Sequence, residues 1–249
     1  MTHGAAGRPA AVTLVGGGWA PAAAREVYGP FLAAAAGDDP RIACIVLDEG
    51  DGDEQFERWR AALKSAGACR PVPVLVPIGG LFDVGDLAGA DAVLVCGGLT
   101  PAYAAALSPA AAELREWCAA GRPYAGFSAG AAVAASSALV GGYRVDGVIV
   151  CPEDAGEDLE EVEVVAGLGL LPVTVDVHAS TWGTLGRAIA AVRSGLTATV
   201  IAIDEDTAVV LDESGWGRVV GLGAAHVVRA AGDASATVTA VRAGGVVLP

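Results

Sequence analysis

The chain has 249 residues, 53% of them hydrophobic and 18% charged, with a formal net charge of −14. That is enough material for one large α/β domain with a substantial core, and the negative balance argues against nucleic acid or an anionic membrane as a partner. No run of about 18 apolar residues is free of Gly, Pro and charge, so no membrane span is expected. The five cysteines are odd in number and widely spaced, without a C-x-x-C or a Cys/His cluster. Neither a disulfide framework nor a zinc site is expected, and the expected compartment is a reducing cytosol.

Residues 1–9 read as a short flexible tail without the basic and apolar regions of a signal peptide. Residues 10–15 form an apolar strand that ends in Gly16-Gly17-Gly18, and a helix continues from Pro21, a favoured first helical position, through Ala36. A strand over 41–47, a charged helix over 53–66 and a strand over 72–77 come next. A fourth strand over 91–96 ends at Gly97-Gly98, Ser108 is expected to cap a helix running to about Ala120, and residues 122–127 form a short strand. Short apolar strands alternating with helices predict a mainly parallel sheet with helices on both faces, a flavodoxin-like core. In such sheets the ligand site lies beyond the carboxyl ends of the strands, where Gly17, Gly98 and Ser128 each fall and should converge.

The second half is richer in strands. Residues 162–165 and 171–177 are strand-like, 181–193 can form a helix, and strands over 199–203 and 207–211 flank Asp204-Glu205-Asp206. A hairpin turn over 213–217 leads to a strand over 218–220, and the alternating tail from His226 onward is expected to add edge strands. The acid- and Gly-rich run 153–161 reads as a solvated face, with a mobile loop as the other reading. No linker or internal repeat divides the chain, so residues 1–249 are expected to form a single α/β hydrolytic domain.

Chemistry enters with Gly126-Phe127-Ser128-Ala129-Gly130, a G-x-S-x-G between an apolar strand and an alanine-rich helix. A strand turning sharply into a helix holds Ser128 on a strained corner and pushes its hydroxyl outward. The amide N–H of Ala129, at the start of the helix, lies beside any oxyanion formed on an attacked carbonyl. A serine nucleophile needs a base held by an acid. Of the three histidines, His3 is in the tail and His226 sits in an apolar strand. His178 ends a strand and enters a Ser/Thr loop at a carboxyl end. The acid is open between Glu205, its neighbours Asp204 and Asp206, and Asp176. Strand alternation sends Asp204 and Glu205 to opposite sides, so only one of them can point at the imidazole.

Three segments in this order resemble the cyanophycinase and peptidase E family of serine peptidases: Gly126-Phe127-Ser128-Ala129-Gly130-Ala131, then Gly167-Leu168-Gly169-Leu170 leading to Asp176-Val177-His178, then Ile203-Asp204-Glu205-Asp206-Thr207-Ala208. The resemblance implies a class I glutamine amidotransferase-like fold with serine in place of the usual cysteine. It implies Ser128 as nucleophile, His178 as base and Glu205 as acid, with Gly98 as the second oxyanion donor beside Ala129, and no metal or organic cofactor. The chain also departs from the family. Cyanophycinases carry Asp-Gln where Leu99-Thr100 stand, and arginines where this chain has Trp182 and Thr184, while Arg187 keeps the third cation. A pocket that exchanges fork-shaped carboxylate donors for an indole favours a less acidic, more apolar ligand than cyanophycin. Leu99, Thr100, Asp176, Trp182 and Arg187 are the expected substrate-binding residues, and for Arg187 a purely structural ion pair is an equal rival.

The expected activity is hydrolysis of a small peptide or amide through an acyl-enzyme, with homodimerisation left open. An α/β-hydrolase esterase using Ser128, an acid among residues 204–206 and His226 is a second reading. A relative that binds a ligand without catalysis is a third.

Overall fold

The computed structural model describes residues 11–212 and 215–247. The expected tail with His3, and residues 213 and 214 of the expected hairpin turn, lie outside the described residues. In chain order the strands are β1 (Val12–Val15), β2 (Arg41–Asp48), β3 (Arg70–Pro77), β4 (Ala92–Val95), β5 (Tyr124–Phe127), β6 (Ser137–Gly141), β7 (Arg144–Val145), β8 (Val148–Ile149), β9 (Glu163–Ala166), β10 (Thr174–Val177), β11 (Thr199–Ile203), β12 (Thr207–Leu211), β13 (Gly217–Gly221), β14 (Ala224–Ala230), β15 (Ala236–Arg242) and β16 (Val246–Val247). The α-helices are α1 (Ala24–Ala34), α2 (Gly52–Ala66), α3 (Thr100–Leu107), α4 (Ala111–Ala119), α5 (Ala129–Val133) and α6 (Leu185–Arg193). None of the helices is long and apolar enough to cross a membrane among the described residues.

The large sheet has the order β16-β13-β12-β1-β5-β4-β2-β3. The run from β1 to β3 is parallel throughout, and β12, β13 and β16 extend it by antiparallel pairing. Strand alternation builds two apolar layers. Along β2, Ile42, Cys44 and Val46 join the cluster formed with α1 and α2, while Ala43, Ile45 and Leu47 join the one formed with α3, α4 and α5. The predicted α/β class with a mainly parallel sheet, helices on both faces and added C-terminal strands is what the chain adopts.

A smaller sheet, β10-β11-β14-β15, pairs β10 with β11 in parallel and continues antiparallel. Ala188 and Val192 of α6 pack on Val200, Ala202 and Val228 of this sheet. The two sheets meet at the loop after β1. Gly16 N–H donates to the Thr207 carbonyl (3.0 Å), His178 N–H to the Gly16 carbonyl (2.9 Å) and Asp206 N–H to the Gly17 carbonyl (2.7 Å). A Cβ on Gly16 would lie 2.3 Å from the Asp204 carbonyl oxygen, and one on Gly17 would lie 2.1 Å from Cε1 of His178. Only glycine lets the two backbones approach this closely.

Several local expectations are corrected. Ser108 is not the N-cap of the following helix but the C-cap of α3. It continues from α3 with helical dihedrals, φ −55° and ψ −40°, and its hydroxyl bonds back to the Ala104 carbonyl. The helix over Thr100–Leu107 escaped notice because it is apolar all round, although Pro101 near its start is a favoured early position. The helix expected over 181–193 begins only at Leu185, after a turn in which Gly183 takes φ +73°.

The substrate-binding expectation for Asp176 and Arg187 is also corrected, in favour of the structural rival. Arg187 is 3% exposed and Asp176 1%. The guanidinium Nε donates to Asp176 Oδ2 (3.1 Å), Nη2 to Oδ1 (2.6 Å), and Nη1 to the Ala155 carbonyl (2.6 Å). A fork-shaped donor meeting a carboxylate bidentately ties α6 to β10 and to the loop before β9, and leaves no polar face turned to a ligand.

These contacts predict the effect of two substitutions on stability. Gly16→Ala should lower stability by about 1–3 kcal/mol, since backbone rather than a movable side chain stands in the way, and a thermal melt reads this as a lower Tm. Arg187→Ala, which strands a buried carboxylate, should cost about 3–5 kcal/mol in urea unfolding. Arg187→Lys should recover only part of it, because an ammonium cannot reproduce the fork.

Candidate active site

The strand–turn–helix at Ser128 forms because its glycines permit it. A Cβ on Gly126 would stand 2.3 Å from the Gly130 carbonyl oxygen, and one on Gly130 would stand 2.1 Å from that of Val95. Ser128 itself takes φ 52° and ψ −112°, a conformation costing a non-glycine residue about 1–3 kcal/mol that the surroundings must enforce. Its N–H donates to the Val15 carbonyl (2.9 Å), and its carbonyl accepts from Ala131 (2.8 Å) and Ala132 (3.1 Å), which starts α5. The elbow is thus clamped to β1 on one side and to its own helix on the other.

His178 comes directly after β10 with φ 57° and is 5% exposed. Its Nε2 lies 2.7 Å from Ser128 Oγ and its Nδ1 2.7 Å from Glu205 Oε1. An ionised carboxylate only accepts, so Nδ1 carries the proton and Nε2 is left to accept from the serine hydroxyl. Burial pushes the imidazole below its ordinary pKa, and Glu205 opposes that shift without reversing it. Ser128, His178 and Glu205 are therefore brought together as a hydrogen-bonded relay.

Trp182 is placed differently from the expectation of a pocket wall alone. Its indole stacks on the imidazole, with centroids 3.8 Å apart and planes 6° apart, and its backbone N–H donates to the His178 carbonyl (2.9 Å). One face of the imidazole is thus covered by Trp182, while Gly17 closes on the ring through Cε1. Trp182 remains 41% exposed, so its outer edge is open to a ligand.

The Gly97-Gly98 turn lies against the elbow, where a Cβ on Gly97 would be 3.2 Å from that of Ser128. Gly98 is exposed and Leu99, the N-cap of α3, is half-buried. Tyr103, which no sequence motif singled out, supports this turn from below. It is 1% exposed, accepts from Leu47 N–H (3.0 Å) and reaches the Gly97 carbonyl (3.4 Å). An aromatic residue one helical turn after a Gly-Gly was the available signal. Thr100 does not face a ligand and is corrected as a substrate-binding residue. It is 2% exposed, and Glu157 takes both its N–H (2.9 Å) and its hydroxyl (3.1 Å). Burial raises the Glu157 pKa against those two bonds. The acidic run 153–161 is accordingly no mere solvated face, since it caps α3 through Glu157 and meets Arg187 through Ala155.

Asp204 points away from the imidazole. It accepts from Ser180 N–H (3.1 Å), from Ala224 N–H (3.0 Å) and from His226 Nε2 (3.2 Å). His226 pairs across from Ala202 in the small sheet, as expected of a structural strand residue. The hydroxyl of Ser128 is met by His178 and not by His226. Among the described residues no group of three or more His, Cys, Asp or Glu side chains is arranged to hold a metal ion.

The family model "Peptidase family S51" matches residues 80–218. Cyanophycinases from Trichormus variabilis and from a Nostoc strain are each 34% identical over 144 residues, covering 57% of this chain and 43% of theirs. The match thus spans less than half the length of these relatives. A crystal structure of a peptidase from an acI-B1 actinobacterium superposes with a TM-score of 0.65 at 18% identity, covering 98% of each chain, which establishes likeness of fold. The family match takes in Ser128, His178 and Glu205 and extends over more than half of the chain, and the chain belongs to peptidase family S51.

Proposed function

We propose that this chain is a serine peptidase or amidase that works through an acyl-enzyme, with Ser128 as nucleophile, His178 as base and Glu205 as the acid that orients it. The observation that carries the reading is the pair of 2.7 Å contacts joining Ser128 Oγ, the imidazole and the Glu205 carboxylate. Ser128 attacks the substrate carbonyl while its proton passes to Nε2, and Glu205 stabilises the imidazolium formed. The N–H groups of Gly98 and Ala129 are the proposed donors to the oxyanion, each such donor being worth about 10²–10³ in turnover. His178 then returns the proton to the leaving amine, and water hydrolyses the acyl-enzyme. The substrate is a small peptide or amide other than cyanophycin. Trp182 and Thr184 replace family cations, and the remaining one, Arg187, is committed to Asp176.

A fluorophosphonate probe tests the activated serine directly. Labelling at Ser128, lost in Ser128→Ala and in His178→Ala, is expected. Each variant should lower turnover by on the order of 10⁴-fold or more with the fold intact by circular dichroism. An unlabelled wild type would favour a ligand-binding relative without catalysis, and activity surviving either substitution would remove the assignment.

The pH dependence has a definite sign. Because burial holds the His178 pKa below its ordinary value, the free base persists on acidification, and the acidic limb of kcat/KM should fall below the ordinary imidazole value of about 6.5. Glu205→Gln removes the carboxylate that opposes the shift, so the limb should move lower still while turnover drops. A limb at or above the ordinary value in the wild type would contradict the neutral, buried base.

A further inference from the structure

Behind the Gly16–Gly18 loop, on the face of the large sheet covered by α1 and α2, lies a cavity of about 300 Å³. That is the lower end of the range for small-molecule sites. Gly17 is the shared wall: it lines this cavity and also closes on the His178 ring. Asp206, the residue after Glu205, stands at the same wall.

The lining is unusually small and apolar, built from alanines of α1 and α2 such as Ala24 and Ala62, with Val27 beside them. Alanine at facing positions leaves room that larger side chains would fill. Tyr28, Arg58, Ser65 and Asp206 bring polar groups to this wall. Tyr28 is 4% exposed, lines the cavity and keeps its hydroxyl protonated, because burial raises its pKa. Asp206 uses Oδ1 to accept from Ala20 N–H (2.8 Å), and Oδ2 has no partner among the described residues. At the mouth, Trp19 is 40% exposed, packs on Phe127 at 4.8 Å and carries the Arg58 guanidinium 4.2 Å above its ring. Apart from Asp206 and Phe127, all of these residues precede residue 80, outside the segment that matches the family model.

We infer that this cavity is a subsite for an apolar, preferably aromatic, aminoacyl unit of a short peptide or amide, whose side chain enters the alanine-lined wall and whose ammonium meets Asp206. The ammonium suits an unshared carboxylate oxygen in a strongly negative chain. The apolar wall gains from a buried aromatic side chain, and Tyr28 offers a hydrogen bond to a polar atom on it. The subsite deepens the hydrolytic reading and depends on it for turnover, not for binding.

The test uses the full chain carrying Ser128→Ala, so that binding is read without turnover, with phenylalaninamide, glycinamide and N-acetylphenylalaninamide as probes in calorimetry. Phenylalaninamide should bind about tenfold or more tighter than glycinamide, the effect of burying one aromatic side chain. N-acetylation should weaken binding about fivefold or more, and Asp206→Asn should erase that difference. Ala62→Phe should remove the preference for phenylalaninamide. If that variant melts early, Ala61→Trp, from the exposed rim of the same cavity, serves in its place. Equal binding of the phenylalanine and glycine amides, or a preference that survives both filling variants, overturns the subsite. In the wild type, Phe-initiated dipeptides should be cleaved with higher kcat/KM than Gly-initiated ones, and cavity filling should level the two. Preserved binding without Ser128 labelling or hydrolysis would defeat the proposed function and leave the subsite standing. Hydrolysis whose preference ignores cavity filling would defeat the subsite alone.

Discussion

The site depends on the close approach of two backbones at Gly16 and Gly17. The large sheet supplies Ser128 at the end of β5, and the small sheet supplies His178 and Glu205 at the ends of β10 and β11. Neither sheet holds the relay alone. The loop after β1 joins them with bonds from Gly16 and Gly17 to His178, Asp206 and Thr207, and any Cβ there would enter the imidazole or the Asp204 carbonyl. A hydrogen-bonded relay tolerates little error in distance, so a seam of backbone contacts, which cannot change rotamer, is the physically appropriate support.

Three consecutive acids then divide the work at this seam. Asp204 gathers the loop after His178 by accepting from Ser180, and ties it to β14 through Ala224 and His226. Glu205 meets the imidazole, and Asp206 caps the turn before α1 through Ala20. Their side chains diverge because β11 leaves one sheet as β12 enters the other, with the turn reversing direction at Asp206, where φ is 55°. One short acidic segment thereby faces the small sheet, the relay and the helix layer in turn.

Burial sets the electrostatic character of the site. Ser128 and His178 are almost completely covered, whereas the Glu205 side chain keeps 24% of its exposure. The imidazole loses more solvation than its carboxylate partner and is held neutral, with an indole stacked on one face. A neutral, oriented ring is the state able to accept a hydroxyl proton. Asp176 and Arg187 act on the imidazole with opposite signs. Arg187 is neutralised by Asp176, and Glu157 is engaged at the amino end of α3.

The elbow and the alternating sheet were legible in the sequence because both are local. Gly126 and Gly130 flank Ser128 at fixed spacing, and period-two alternation assigns each residue of β2 to a layer without knowledge of the rest of the fold. His178 was reachable by elimination and by its place at a strand end. The proposed acid was less so, since position at a strand end favoured Glu205 but left Asp204, Asp206 and Asp176 open, and the resemblance pointed to Glu205. The choice depends on which carboxylate lies within 2.7 Å of Nδ1 once two sheets are docked, a distance between residues far apart in the chain. The fate of Arg187 and Thr100 was equally hidden. A cation or hydroxyl near a site looks the same in sequence whether it faces a ligand or a buried partner, and Asp176 and Glu157 decide the matter only in the folded chain. Local sterics and periodicity are written in neighbouring residues, whereas the partner of a buried polar group is settled by tertiary packing, which no window of the sequence contains.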